Sequence, residues 1–401
     1  MLGAKTQETP GAMEGPHRVV FDPARGQRVP VWIWGRDVDD ETVRQLTRIA
    51  SRPYVVERVA AMPDAHVSEK VSVGTVFATE STVVPGALGG DLGCGVSATR
   101  LGIDAAVLDR RVLARAIEAF TAAIPTGDAV HRRGLPLPDA IAAAPLSTRA
   151  LSRTRDTLGG RHLGTLGGGN HFVEIDRDAD GEAWLLVHSG SRGLGAAVCG
   201  HHARAASSAD ALAGLDTRTD AGAAYFSDHL VALDFARANR AALAARAAEV
   251  LRDVIGRDLP APWTIDVHHN FVACEHWFGR DLLVHRKGAI HAARGAHAVI
   301  PGSMGTASYL VVGRGLEAAF GSSSHGAGRV MSRKEARARI DPRALTGAMR
   351  RVVFDSDLTA DLVEEAPQAY RDIGRVLDDQ RDLVERGIRL EPLAVLKGGR
   401  R

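Results

Sequence analysis

Gly167-Gly168-Gly169-Asn170-His171-Phe172-Val173-Glu174 joins a glycine-rich loop to an apolar stretch. Three successive glycines leave backbone N–H groups free to face a phosphate. A strand starting at His171 would set His171 and Val173 on one face and Glu174 on the other. A loop that delivers a histidine to a strand end places chemistry where α/β proteins hold ligands.

The same arrangement recurs along the chain. Val187-His188-Ser189-Gly190-Ser191-Arg192 puts a histidine at the end of an apolar run, followed by a Ser/Gly turn and an arginine. Asp266-Val267-His268-His269-Asn270 follows another such run, and alternation lets only one of its two histidines face a common site. Asp91-Leu92-Gly93-Cys94 sits among Gly86, Gly89, Gly90, Gly93 and Gly95, so a carboxylate and a thiolate three residues apart can reach one cation. Taken singly, each also fits a small buried cysteine or a half-buried histidine. Together they supply one Asp, one Cys and three His, too rich a set for one tetrahedral structural zinc. The set suits two close divalent ions sharing a thiolate, with Mn²⁺ and Zn²⁺ both permitted by the ligand chemistry.

Ser324-His325-Gly326-Ala327-Gly328-Arg329 places a histidine among glycines, with Arg329 and Arg333 close behind. Glycines let backbone approach a ligand closely, and arginines grip phosphate oxygens in a bidentate fork. A histidine so placed could attack a phosphorus atom.

The chain has 401 residues, 45% hydrophobic and 24% charged, with a net charge of +2, so no global basic field announces nucleic acid. A local basic groove is compatible with that total. Three cysteines (Cys94, Cys199, Cys274) argue against a disulfide framework and for a reducing compartment. Residues 1–16 lack an apolar signal core, and no apolar run approaches the roughly 18 residues of a membrane span. The expectation is a cytoplasmic protein with a flexible 1–16 segment.

Patterning predicts strands over 53–62 and 71–87, broken by a turn at Pro63-Asp64, and an amphipathic helix over 106–124. A Pro-rich, charged loop with short helices is expected over 125–160. Short strands are expected at 184–188, 265–269 and 282–285. A long Ala/Leu/Arg helix is expected over 221–256, interrupted near Ala238-Asn239, and a mostly helical segment over 352–398. His201 and His202 read as solvent-facing, and His66 as a support to the site. No linker divides the chain, and candidate site residues run from Asp64 to Lys397, so 17–401 is expected to form one interleaved α+β domain.

In chain order, MPDAH (62–66), GGDLGCG (89–95), GGGNHFVE (167–174), HSGSRGLG (188–195), HHN (268–270), RKGA (286–289), IPGSMGT (300–306), SHGAGRVMSR (324–333), EEAPQAY (364–370) and LKG (396–398) form a set. This set resembles the RtcB family of RNA-splicing ligases, which join an RNA 3′-phosphate or 2′,3′-cyclic phosphate end to a 5′-hydroxyl end. The resemblance implies β-sheets around a central dinuclear metal cleft, flanked by helices. It implies Asp91, Cys94, His171, His188 and His269 as ligands of two Mn²⁺ ions, with Cys94 bridging. His325 would take GMP from GTP, and Asp64 would be a supporting acid. Asn170, Glu174, Ser303, Lys397 and the Gly326-Ala327-Gly328 turn would meet the guanosine nucleotide, with Glu174 on the guanine N–H edge. Arg192, Arg329 and Arg333 would bind phosphates or RNA. One stretch departs from the family: Val67-Ser68-Glu69-Lys70-Val71-Ser72-Val73-Gly74 stands where many members are glycine-rich. The departure is read as the mark of a divergent bacterial RNA-repair branch. The resemblance leaves the RNA substrate and the need for an activating protein open; a monomer is the default. The competing reading of the metal set is a dinuclear phosphodiesterase acting on cyclic phosphate RNA ends.

Overall fold

The computed structural model describes residues 15–207, 209–260 and 263–398. The segment 1–16, expected to be flexible, lies outside them except for its last two residues. The fold is α+β, built on two mainly antiparallel sheets. The larger has seven strands in the order Trp263–His268, Gly95–Asp104, Glu182–Ser189, Phe172–Arg177, Val384–Lys397, Ser308–Gly313 and His297–Ile300. The other has six: Arg18–Val20, Val31–Ile33, Val55–His66, Val73–Thr79, Arg280–Lys287 and Asn270–Trp277.

The helix Arg110–Ala123 starts at Asp109, whose carboxylate accepts from the backbone N–H of Arg111 and Val112. It buries Leu113, Ala116, Ile117 and Phe120, an i, i+3, i+4, i+7 stripe. With the long helix Asp220–Ile255 it covers one face of the seven-stranded sheet through Val173, Ile175, Leu185 and Val187. Each buried side chain of that size stabilises by about 1.5–3 kcal/mol. The opposite face packs Trp184, Leu186 and Val395 against Leu345, Met349 and Leu362.

Four expectations need correction. The strand Val55–His66 runs through Pro63-Asp64 without a turn. Its pairing register lapses between Ala61 and His66, so the missing proline N–H costs no ladder bond. The long helix is continuous through Asn239, because that side chain bonds backbone of neighbouring loops instead of its own turn. Residues 384–397 form a strand, not a helix: Gly387 and Pro392 disfavour helix, and Leu390, Ala394, Val395 and Leu396 are buried within the sheet. His202 is buried, with Nε2 2.7 Å from Asp228 Oδ2, whose carboxylate also accepts from Ser147. Among the described residues, no helix is long and apolar enough to cross a membrane.

Candidate active site

Antiparallel pairing gathers the site. A strand's start lies beside its neighbour's end, and the registers pair Gly95 with Ser189, Phe172 with His188, Lys397 with Phe172, and His268 with Gly95. Cys94, His171, His188, His269 and Lys397 therefore meet at one end of the seven-stranded sheet. Cys94, His188, His269 and Lys397 open on a cavity of about 670 Å³, also lined by Asp91, Asn170, Glu174, Ser303, His325, Gly326, Ala327, Gly328, Arg329 and Arg333, with His171 just behind its wall beside Cys94 and Asp91.

Two triads have their donor atoms within 4.8 Å of one another: Cys94, His188 and His269, and Asp91, Cys94 and His171. They share Cys94. Its Sγ lies 3.4 Å from His171 Nε2 and 3.3 Å from His188 Nε2, and His171 Nε2 lies 3.3 Å from Asp91 Oδ2. The far nitrogens are anchored: His171 Nδ1 lies 2.8 Å from the Leu166 carbonyl, and His188 Nδ1 lies 3.2 Å from that of Asn170. Such bonds fix the tautomer and aim Nε2 at the centre, as in metal-bound histidines. Burial, reinforced by neighbouring histidines, holds His188 and His269 well below the usual imidazole range, hence neutral, the form that ligates. His269 Nδ1 is buried with no hydrogen-bond partner among the described residues. A soft cysteine sulfur, imidazoles and a carboxylate with an unpaired buried nitrogen fit divalent transition-metal ions; burial and Asp91 push the Cys94 thiol up, so a bound cation would be what holds it as the thiolate.

The loops carrying these side chains are tied to one turn of the long helix. Asn239 accepts from Gly164 N and donates to the Thr165 and Gly190 carbonyls and to Ser189 Oγ. Arg240 is fully buried; it grips Asp266 at 2.6 and 2.7 Å and donates to the Gly93 and Ser189 carbonyls. Close approach is also needed at Gly190, where a Cβ would stand 2.1 Å from Asp91 Oδ1. Arg240→Met is expected to destabilise the protein by about 3–5 kcal/mol, because the half-buried Asp266 carboxylate loses its bidentate cation and the Gly93 and Ser189 carbonyls lose the guanidinium N–H. Denaturant midpoints check this; a cost below about 1 kcal/mol would mean water replaces the guanidinium.

His325 faces the cavity from the turn after strand Ser322–Ser324, and its ring centroid is 4.7 Å from that of His269. Its Nδ1 lies 2.6 Å from the fully buried Asp64 carboxylate, which also accepts from the His325 backbone N–H at 3.2 Å. Gly328, at φ +70°, brings the turn against Asp64: a Cβ there would meet the Asp64 carbonyl oxygen at 2.4 Å.

Lys397 Nζ is 3.1 Å from the Asn170 carbonyl and 3.3 Å from Glu365 Oε2, above the Phe172 ring. Ser303 Oγ lies 2.9 Å from Thr306 Oγ1. Arg329 is committed to Met331 O, Glu364 O, Glu365 and Tyr370, while Arg333 pairs with Glu364 and Glu365 and keeps 43% of its side chain exposed. Arg192 does not line the cavity; it bonds Thr165 Oγ1 and the Gly127 carbonyl. His268 turns from the site to the Gly93 carbonyl, and His66 Nδ1 to the Asp64 carbonyl at the cavity wall. Val67 and Ser68, in the divergent stretch, also line the wall.

Sequence reading gave no role to Glu365, the buried carboxylate that joins Lys397, Arg329, Arg333 and Tyr370. Its signal was an acidic doublet ahead of Ala366-Pro367. It also passed over Lys287, which lines the cavity and donates to the Leu88 carbonyl.

A family model described as tRNA-splicing ligase RtcB matches residues 45–143 and 140–398. The chain is 35% identical over 399 residues to the RNA-splicing ligase RtcB of Escherichia coli, covering 92% of this chain and 97% of that protein. It is 31% identical over 444 residues to the RNA-splicing ligase RtcB of Mycobacterium tuberculosis, covering 88% of this chain and 100% of that protein. It is 29% identical over 463 residues to the tRNA-splicing ligase RtcB of Archaeoglobus fulgidus, covering 93% and 95%.

Proposed function

The chain belongs to the RtcB family of tRNA-splicing ligases, and from that premise we propose that it is a GTP- and Mn²⁺-dependent RNA ligase joining 3′-phosphate or 2′,3′-cyclic phosphate ends to 5′-hydroxyl ends in tRNA splicing or RNA repair. The observation that carries this reading is the ring contact of His325 with His269, a member of one of two donor triads that share Cys94, on one cavity. Residues 17–401 would act as one ligase domain, since the proposed site draws on side chains from Asp64 to Lys397.

Asp91, Cys94, His171, His188 and His269 would hold two Mn²⁺ ions, which when bound would neutralise phosphate charge during transfer. With Nδ1–H donated to Asp64, His325 keeps its Nε2 lone pair free. Nε2 attacks the α-phosphorus of GTP, an N–P bond forms and pyrophosphate leaves. The RNA 3′-phosphate then attacks the same phosphorus, the N–P bond breaks, and the RNA end carries a ppG cap. The 5′-hydroxyl attacks the RNA phosphorus, a phosphodiester forms and GMP leaves. Glu174 would accept from the guanine N–H edge, with Asn170, Ser303, Lys397 and the Gly326-Ala327-Gly328 turn around the nucleotide. Arg333 has charge to offer the RNA. Arg329 and Arg192, bound to protein acceptors, would shape the phosphate site rather than grip it.

The test uses GTP labelled on the α-phosphate. Incubated with MnCl₂ and denatured, the protein is expected to retain an acid-labile, alkali-stable label that RNA 3′-phosphate ends chase off. No label on protein shown to contain metal would overturn the reading. Asp64→Asn is expected to slow labelling by about 10²–10⁴-fold, since the amide can hold the ring in the wrong tautomer. Rapid-quench rates check it, and a loss under about tenfold would leave Asp64 a structural partner only.

A further inference from the structure

Glu174 and Asp176 stand two residues apart on the strand Phe172–Arg177, so their side chains leave the same face. Glu174 lines the cavity; Asp176 lies one step deeper and is fully buried. Flanking strands place Leu186 and Val395 beside Glu174, and Trp184 and Pro392 beside Asp176. Neither oxygen of Asp176 has a donor among the described residues. What lies within hydrogen-bonding reach is the carboxyl of Glu174. Two buried carboxyls in contact are joined only if one of them carries a proton.

The charged groups around the pair are few. Lys397, from the strand Val384–Lys397, faces Glu174 and is itself bonded to Glu365. Asp178, just beyond the strand, accepts from Trp184 Nε1. Among the described residues Asp176 therefore has no cation of its own, while Glu174 has Lys397.

We propose that Asp176 is a positioning residue for guanine recognition: it shares one proton with Glu174 and takes it wholly when the base docks, so that Glu174 meets the base as a fixed, ionised carboxylate. The proposal rests on Glu174 as the guanine contact. Guanine offers N1–H and N2–H donors, which need acceptors. The proton moves from Glu174 Oε to Asp176 Oδ, and the Asp176 O–H then donates back to the Glu174 carboxylate. The negative charge ends beside Lys397 and the base, and the deeper, apolar position holds a neutral acid.

Burial, then their mutual contact, pushes Glu174 well above the usual carboxylate range despite Lys397, and burial pushes Asp176 up to about 7. Above about pH 7 the free pair carries one proton and one charge, the state guanine needs. As pH falls through about 7 a second proton enters on Asp176, the Glu174 proton then has no acceptor to move to, and GTP affinity falls.

The experiment measures KM for GTP in the labelling reaction against pH. The parent protein is expected to show KM rising as pH drops below about 7. In Asp176→Asn the neighbouring charge is gone and the amide N–H donates to Glu174, so the rise moves down by about one pH unit or more. In Asp176→Leu no donor remains, and KM at pH 8 rises about tenfold. An unshifted rise in Asp176→Asn, or an unchanged KM in Asp176→Leu, overturns the proposal. A second readout needs no catalysis. Infrared spectra of the nucleotide-free protein at pH 8 are expected to show a protonated-carboxyl C=O band that Asp176→Asn lacks, and its absence overturns the shared proton. A parent protein that has the band but takes no label overturns the ligase reading and the guanine role together. In that case the shared proton stands by itself, so the two failures are told apart.

Discussion

His325→Ala is expected to abolish transfer of guanylate to the protein, lowering its rate by at least about 10⁴-fold, while metal content stays that of the parent. Removing a nucleophile eliminates the covalent route, and comparable losses reach about 10⁶-fold in other covalent enzymes. His325 belongs to neither donor triad. Its ring is 4.7 Å from that of His269, near enough to act on a phosphate that a metal held by the triads would bind, yet separate from the donor set. Truncation leaves the buried Asp64 carboxylate without the ring donor, which costs about 1–3 kcal/mol and is read from the melting curve. A folded, metal-loaded His325→Ala that still takes label would move the nucleophile elsewhere and dissolve the reading. RNA ligation from a presynthesised ppG end is expected to survive this substitution, because that step needs no histidine–GMP bond.

Cys94→Ala is expected to fail differently: metal is lost, and every chemical step with it. Cys94 is common to both triads, with its sulfur 3.3–3.4 Å from two imidazole nitrogens. Outer partners of a metal ligand already cost roughly 10–100-fold in affinity when removed, so a shared inner ligand should cost more. Inductively coupled plasma analysis of the dialysed protein checks this. Two metal equivalents retained by Cys94→Ala would refute the bridge. Together the two variants separate a protein that cannot hold metal from one that cannot be guanylylated.

Much of this site was legible in the sequence because its parts sit in short glycine-bounded motifs. Asp91, Cys94, His171, His188 and His269 stand out as chemically unusual residues at the edges of apolar runs; alternation allowed only one of His268 and His269 to face the site, and the family resemblance pointed to His269. Long-range partners were not legible. Asp64 to His325 spans 261 residues, and no local pattern says that a buried carboxylate meets that ring. Arg329 and Arg192 looked like phosphate binders, since a sequence shows a free cation and not the carbonyls that occupy it. The helix expected over 352–398 failed because charged residues at its start masked the apolar spacing of 390–396, which suits a strand inside a sheet. Asn239 looked like a break in a helix because its tertiary partners, which keep it inside, are about 50–75 positions away in the chain.

The placement of the strand Val384–Lys397 sets an order on the making of the molecule. It lies between Phe172–Arg177 and Ser308–Gly313, so the two halves of the seven-stranded sheet are zipped edge to edge through the latest of its strands to be synthesised. A nascent chain can assemble hairpins on either side but cannot close the sheet until residues 384–397 have left the ribosome. The same strand delivers Lys397 to the cavity. Completing the sheet and furnishing the nucleotide site are thus one event, and a chain stalled before it holds ligand-bearing loops without the lysine that faces them.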